Sequence, residues 1–131
     1  MKVQNKKILE ASNLIKGNLQ NKLPESLPFS LSLALAMFIE KADIVLEVIN
    51  KSVEAIKKTY KIEYEAGKLK NPVAQTELDK FNKEYEELLK QDVEIDIKQI
   101  DIKLFDIKDK DGKEVFISPY ILSTLMFMIK Q

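Results

Sequence analysis

The sequence contains no cysteine, no histidine, no arginine and no tryptophan. Without cysteine there is neither a disulfide framework nor a thiolate zinc site, and nothing points to a secreted compartment. With histidine also missing, acid–base or nucleophilic catalysis is left with carboxylates that converge in a pocket. The lack of arginine removes the bidentate fork that reads guanine and clamps phosphate, for which lysine is only a point-charge substitute. Sequence-specific nucleic-acid binding is therefore not expected. An all-lysine chain rich in asparagine and isoleucine also fits an AT-rich genome, which accounts for the missing arginine without reference to function. Gly17, Gly67 and Gly112 stand too far apart to form a phosphate-binding loop, which needs glycines clustered within one turn.

Long hydrophobic runs are lacking too. The least charged stretch, Ser26 to Ile39, carries Pro28 and several serines and falls short of the ~20 apolar residues that a membrane span needs. The start of the chain is basic through Lys2, Lys6 and Lys7, but the next apolar run, Ile8-Leu9, is no signal-peptide core. These features lead us to expect a cytoplasmic protein with no membrane partner.

What is present suits a folded domain. The 131 residues are 45% hydrophobic and 32% charged, with Lys+Arg at 21 balancing Asp+Glu at 21. A chain of this length supports one core and buries roughly two-thirds of its unfolded surface. Residues 1–131 are read as a single domain.

Along the chain, Asn5 is positioned to cap a first helix carrying Ile8, Leu9, Ser12, Ile15 and Leu19 on one face and ending near Gly17. From Asn18 to Pro28 two prolines predict a loop, with Leu23 and Leu27 turned inward. Leu35, Ile39, Ala42, Leu46, Ile49, Val53, Ile56 and Tyr60 then recur at alternating spacings of four and three, the seam of a helix packed lengthwise on another. Phe38, Ile44, Val45 and Val48 broaden the first half, which predicts burial on more than one side there. A helix from about Phe29 to Ala66 would be about 55 Å long, so its far end should project. After the break from Gly67 to Pro72, Thr76 is expected to cap a third helix with Leu78, Phe81, Tyr85, Leu88 and Leu89 on one side. The two long helices are predicted to form an antiparallel hairpin over about 29–91.

At Val93 the apolar period changes to two, through Ile95 and Ile97 and again through Ile100, Ile102 and Leu104, with a bulge or bend at Lys98-Gln99. Asp109-Lys110-Asp111-Gly112 predicts a turn between Phe105 and Ile107 on one side and Val115, Phe116 and Ile117 on the other. A small β-hairpin or meander is thus expected over about 93–117. Ser118-Pro119 opens a terminal helix over about 118–130, apolar nearly all round, which makes it either a core element or an interface. The fold class is α+β, mostly helical.

Chemistry finds few footholds. Glu94 and Asp96 share one face of a predicted strand, near Asp101 and Asp106, but they alternate with isoleucine and valine as the wet face of a half-buried strand does. Aligning Gly112 with the obligatory glycine of a calcium loop puts Ile107 and Ser118 at the two anchoring ligand positions, so both anchoring carboxylates are missing. Lys2, Lys6, Lys7, Lys16 and Lys22 outnumber Glu10 and Glu25 near the start, yet no aromatic residue interleaves with them, and a solvated face is the better reading. No catalytic residue, metal site or cofactor is expected. Candidate partner contacts are Tyr60, Tyr64 and Leu69 at the projecting end of the hairpin, together with Met126 and Met128 in the terminal helix.

Several stretches resemble a family of small tailed-bacteriophage proteins of unknown function. They are Asn5-Lys6-Lys7-Ile8-Leu9, Leu23-Pro24, Phe81-Asn82-Lys83-Glu84-Tyr85-Glu86-Glu87-Leu88-Leu89, Val93-Glu94-Ile95-Asp96-Ile97 and Ile117-Ser118-Pro119, and together they span most of the chain. The resemblance implies a phage origin and action in the bacterial host or in the particle. The expected function is a non-enzymatic accessory role through protein contact, with a host, defence or phage protein as partner and the host cytoplasm as location. The alternative is a virion or assembly component acting as a homo-oligomer.

Overall fold

The computed structural model describes residues 1–18, 28–70, 72–108 and 111–130. Leu19, Leu23, Leu27, Asp109 and Lys110, on which parts of the expected loop and turn rest, lie outside the described residues.

The chain opens with β1 (Lys2–Gln4) and runs directly into α1 (Asn5–Asn13), which loosens into a π-helical turn, Leu14–Asn18. Asn5 is the first residue of α1 rather than its cap; Gln4 holds that position and makes no side-chain capping bond. Ile8, Ala11, Ser12 and Leu14 are buried, so α1 turns one face fully inward. It packs against α2 (Phe29–Thr59) and α3 (Gln75–Lys90).

The seam expected on α2 is where the spacing puts it. Leu35, Ala42 and Ile49 are buried, while Ile39, Leu46, Val53, Ile56 and Tyr60 are half-buried, so no position of the series is exposed. The predicted broadening is half right. Phe38 is buried and Val45 half-buried, but Ile44 and Val48 are 67% and 61% exposed, because they sit on the side of the helix away from Leu35, Ala42 and Ile49.

The helix also ends earlier than Ala66, and no glycine stops it. The Lys61 N–H donates to the carbonyl of Lys58 and the Ile62 N–H to that of Lys57, with Lys61 at φ 55°. This pair of bonds, with a left-handed residue between helix and exit and an apolar residue after it, is a Schellman ending. Ile62, only 2% exposed, supplies the apolar contact that secures it. Two short antiparallel strands follow, β2 (Tyr64–Glu65) and β3 (Lys68–Leu69), before α3 begins. Thr76 lies inside the first turn of α3, behind an Ala74 cap with no side-chain bond.

The period-two region departs further from expectation. Only β4 (Asp92–Glu94) is strand at its start, and its partner is β1, with Val3 opposite Val93. Residues 95–99 carry no regular structure, so the expected strand through Ile95 and Ile97 does not form and no separate bulge at Lys98-Gln99 is set off; β5 (Ile100–Asp101) follows. Instead of continuing as strand, Ile102–Phe105 winds into a 3₁₀ turn, because the Asp101 carboxylate accepts the Lys103 N–H at 2.9 Å and caps it. Around Gly112 (φ 79°) the backbone meets through a bridge between Lys108 and Glu114 and a bond from the Val115 N–H to the Ile107 carbonyl.

Helix α4 (Pro119–Leu125) opens as expected, the Ser118 hydroxyl accepting the Ile121 N–H at 3.3 Å. It stops at Leu125, seven residues in, and gives way to a 3₁₀ turn, Met126–Met128, and then to β6 (Ile129–Lys130), which pairs in parallel with β5. The main core joins α1, the first half of α2, the 95–107 segment and the end of the chain, with Ile8, Leu31, Ile100, Ile121, Leu125 and Met128 fully buried. Each such side chain contributes about 1.5–3 kcal/mol relative to exposure. Ile49, Ile62 and Phe81 are buried outside that cluster. No helix among the described residues is long and apolar enough to cross a membrane.

Candidate functional site

The β2–β3 hairpin is built by its turn. Ala66 at φ 52° and Gly67 at φ 80° are consecutive left-handed residues, the backbone that a two-residue hairpin loop needs to match strand twist. The register puts Tyr64 directly opposite Leu69 and Glu65 opposite Lys68, and the Lys70 N–H bonds the Glu63 carbonyl at 2.8 Å. Tyr64 and Leu69 therefore share one face, 50% and 37% exposed. The Lys57 ammonium sits 5.7 Å from the centre of the Tyr64 ring, within cation–π range, and ties the hairpin to the last turn of α2. Every residue from Glu63 to Lys70 is exposed.

Tyr60 does not join this pair. It is half-buried, and its hydroxyl donates to Glu84 Oε1 at 2.9 Å, linking the end of α2 to α3. That bond, with a smaller contribution from burial and the negative charges of Glu84 and Glu77, holds the phenol pKa above its ordinary value of about 10.

The two methionines part company. Met126 is 42% exposed, whereas Met128 is fully buried among core residues, which removes it from any contact surface. The cause is the 3₁₀ turn, which points residues two apart in different directions. Phe127, between them, sets its ring edge against Phe38 at 5.9 Å.

Of the carboxylates considered for a metal, Glu94 pairs with the terminal ammonium of Met1 at 2.6 Å. Asp96 pairs with Lys41 of α2 at 3.3 Å, and Asp101 caps the 3₁₀ turn. Among the described residues no three acidic side chains converge in a way that could hold a metal ion. Near the start of the chain, Lys6 lies 4.0 Å from Glu10, and Lys16 pairs with Asp43.

Two features escaped the sequence reading. One is a line of exposed apolar side chains on α2, Phe29, Leu33, Met37, Ile44 and Val48. Their spacings of four, four, seven and four are a readable signal, but the stronger seam on the opposite side masks it and leads Ile44 and Val48 to be read as buried. The other is the exposure of Phe116 (81%) and Tyr120 (63%) around the entry to α4.

Comparison of the chain with protein-family models, with curated proteins and with solved structures finds no match.

Proposed function

We propose that this chain is a non-enzymatic accessory protein that acts by binding another protein through the β2–β3 tip, its partner being a host or defence protein of a bacterium in which a phage replicates. The observation that carries the reading is the Tyr64–Leu69 pair, an aromatic and an aliphatic side chain held side by side and exposed by a turn that fixes their register. Tyrosine combines contact area with a hydrogen-bonding tip at low entropic cost, which suits it to a binding surface. We read α2 and α3 as the two arms of an antiparallel hairpin over about 29–91 that presents this tip. The Tyr60–Glu84 bond at one end, and a groove lined by Val48, Ile49, Leu88 and Gln91 toward the other, support it. The resemblance to small phage proteins supplies the biological setting, with the host cytoplasm as the place of action.

The test is capture of partners from infected cells with the wild-type chain, Tyr64→Ala and Leu69→Ala. The reading expects one protein held by wild type and lost by both variants, with circular dichroism and melting temperature unchanged. Equal recovery by all three would move the contact away from the tip.

The second reading is a virion or assembly component that self-associates. It draws on the outer side of the terminal segment, where Tyr120 is 63% and Met126 42% exposed. Mass spectrometry of purified particles separates the two: high copy number in the virion supports assembly, and absence from it supports the host-directed role.

A further inference from the structure

Helix α2 is apolar on two sides. One side carries Leu31, Leu35, Phe38, Ala42 and Ile49 into the core, and the other carries Phe29, Leu33, Met37, Ile44 and Val48 into solvent at 41–79% exposure. A helical wheel at 100° per residue places the exposed five within one sector about 100° wide, roughly opposite the buried set. The stripe stops at Val48. Ser30, Glu40 and Glu47 fall in the same sector among these apolar residues, and beyond Val48 it holds Lys51, Ala55 and Lys58, so its large apolar side chains belong to the first half of the helix alone.

The spacing of the stripe is nearly a palindrome. About a point between Phe38 and Ile39, Phe29 mirrors Val48 and Leu33 mirrors Ile44, while Met37 mirrors Glu40. A two-fold axis demands a surface that matches itself when reversed, and this stripe meets that demand with apolar residues at two of its three pairings. Two copies of α2 laid antiparallel in this register set Phe29 of one copy against Val48 of the other and Leu33 against Ile44. Met37 then covers the methylene stem of the opposing Glu40, whose carboxylate remains at the edge in water.

Charge agrees with the same register. The start of α2 has no side-chain cap and no acidic residue in its first turn, so among the described residues no charge of that turn offsets the positive end of the helix dipole. In the antiparallel register Glu47 of the opposing copy stands level with Ser30, in that first turn. Its present neighbour Lys51, at 3.3 Å along the same helix, is an exposed pair that offers little competition.

We propose that this stripe is a homodimer interface in which α2 meets the α2 of a second copy, antiparallel, with Leu33 against Ile44. The proposal stands apart from the β2–β3 tip, which the contact leaves free. Phe29 to Val48 spans about 28 Å of helix, so the helix pair alone lies at the small end of specific interfaces. An association in the micromolar range is expected.

Because the chain has no cysteine, the test is clean. Sedimentation velocity of the wild type over about 1–100 µM should show a monomer–dimer shift, and Leu33→Glu or Ile44→Glu should abolish it without changing the circular dichroism spectrum. Under mild oxidation the double variant Leu33→Cys/Ile44→Cys should become a covalent dimer. Neither single cysteine should, since like positions across the axis are about 16 Å apart along the helices, beyond disulfide reach. Efficient linkage by single cysteines would indicate a parallel pairing and overturn the register. A wild type monomeric throughout, or dimers that survive both glutamate variants, would overturn the interface and leave the stripe to a different partner.

Discussion

The side-chain amide of Asn5 donates a hydrogen bond to the carbonyl of Leu88 at 2.9 Å, and the Asn5 backbone N–H donates to the carbonyl of Gln91 at the same distance. One residue at the start of α1 thus closes the end of α3, adding a second donor to the Leu88 carbonyl, which also accepts the Gln91 N–H at 3.3 Å, and one to the carbonyl of Gln91. Asn5 is 7% exposed, so water cannot readily take its place.

Replacing it should show which part of the contact matters. Asn5→Ala removes the donor and should cost about 1–2 kcal/mol. Asn5→Asp should cost more at neutral pH, because a buried carboxylate would face carbonyl oxygens at the negative end of a helix. Its folded pKa would lie above the unfolded value of about 3.9, so the neutral form is favoured on folding. The stability it contributes is present below the unfolded pKa and lost as pH rises through the folded one. Chemical denaturation at pH 3.5 and 7 checks this: the deficit of the Asp variant relative to the Ala variant should shrink at the lower pH.

Lys61 pays a conformational cost at φ 55°. Glycine relieves the left-handed strain but gains entropy in the unfolded chain, and the two effects partly cancel. Lys61→Gly should raise stability by about 0.5 kcal/mol, whereas Lys61→Val should lower it by more than about 1 kcal/mol. Urea midpoints of the two variants, moving in opposite directions, are the expected result.

Ile49 is 5% exposed at the centre of the α2 seam. Ile49→Asp should destabilise by about 3–5 kcal/mol, since it buries a charge without a partner and deletes the packing of a large side chain. An unchanged melting temperature would refute the burial of that face. Asn50→Asp, one residue along and exposed, is the control and should move the melting temperature little.

The phenol of Tyr60 should ionise above pH 10, since its bond to Glu84 favours the protonated form. A folded pKa raised above the unfolded one means that the pair stabilises the fold fully below about pH 10 and loses that contribution as pH climbs through the folded value. Ultraviolet titration of wild type minus Tyr60→Phe isolates this group. A difference curve centred at or below 10 would disprove the bond as drawn.

The α2 seam was legible because it repeats over many turns, and a repeated spacing survives local exceptions. The stop at Thr59 was not, because a lysine occupies the position where glycine ordinarily announces a Schellman ending. Asn5 was misassigned for a related reason. Asparagine before an apolar run looks like a cap of its own helix, and nothing local shows that its amide reaches a carbonyl 83 positions away. Isoleucines at 100 and 102 alternate as in a strand, yet the intervening Asp101 captures the Lys103 amide and curls the chain, so Ile102 ends 53% exposed. Of the candidate contacts, Tyr64 and Leu69 were named separately; their pairing depends on the Ala66-Gly67 turn, which the helical reading of this region had overrun.

The pairing of Val3 with Val93 has a consequence for the order of events on the ribosome. The residues that seat β1, and the α3 carbonyls that hold Asn5, are made some ninety positions after β1 itself. At synthesis rates of about 5–20 residues per second, β1 must wait roughly 5–20 s for its partner. During that interval α2, whose hydrogen bonds are all local, can already form. β1 is thus made long before it can settle, and Val3 is a side chain that a nascent-chain chaperone would meet.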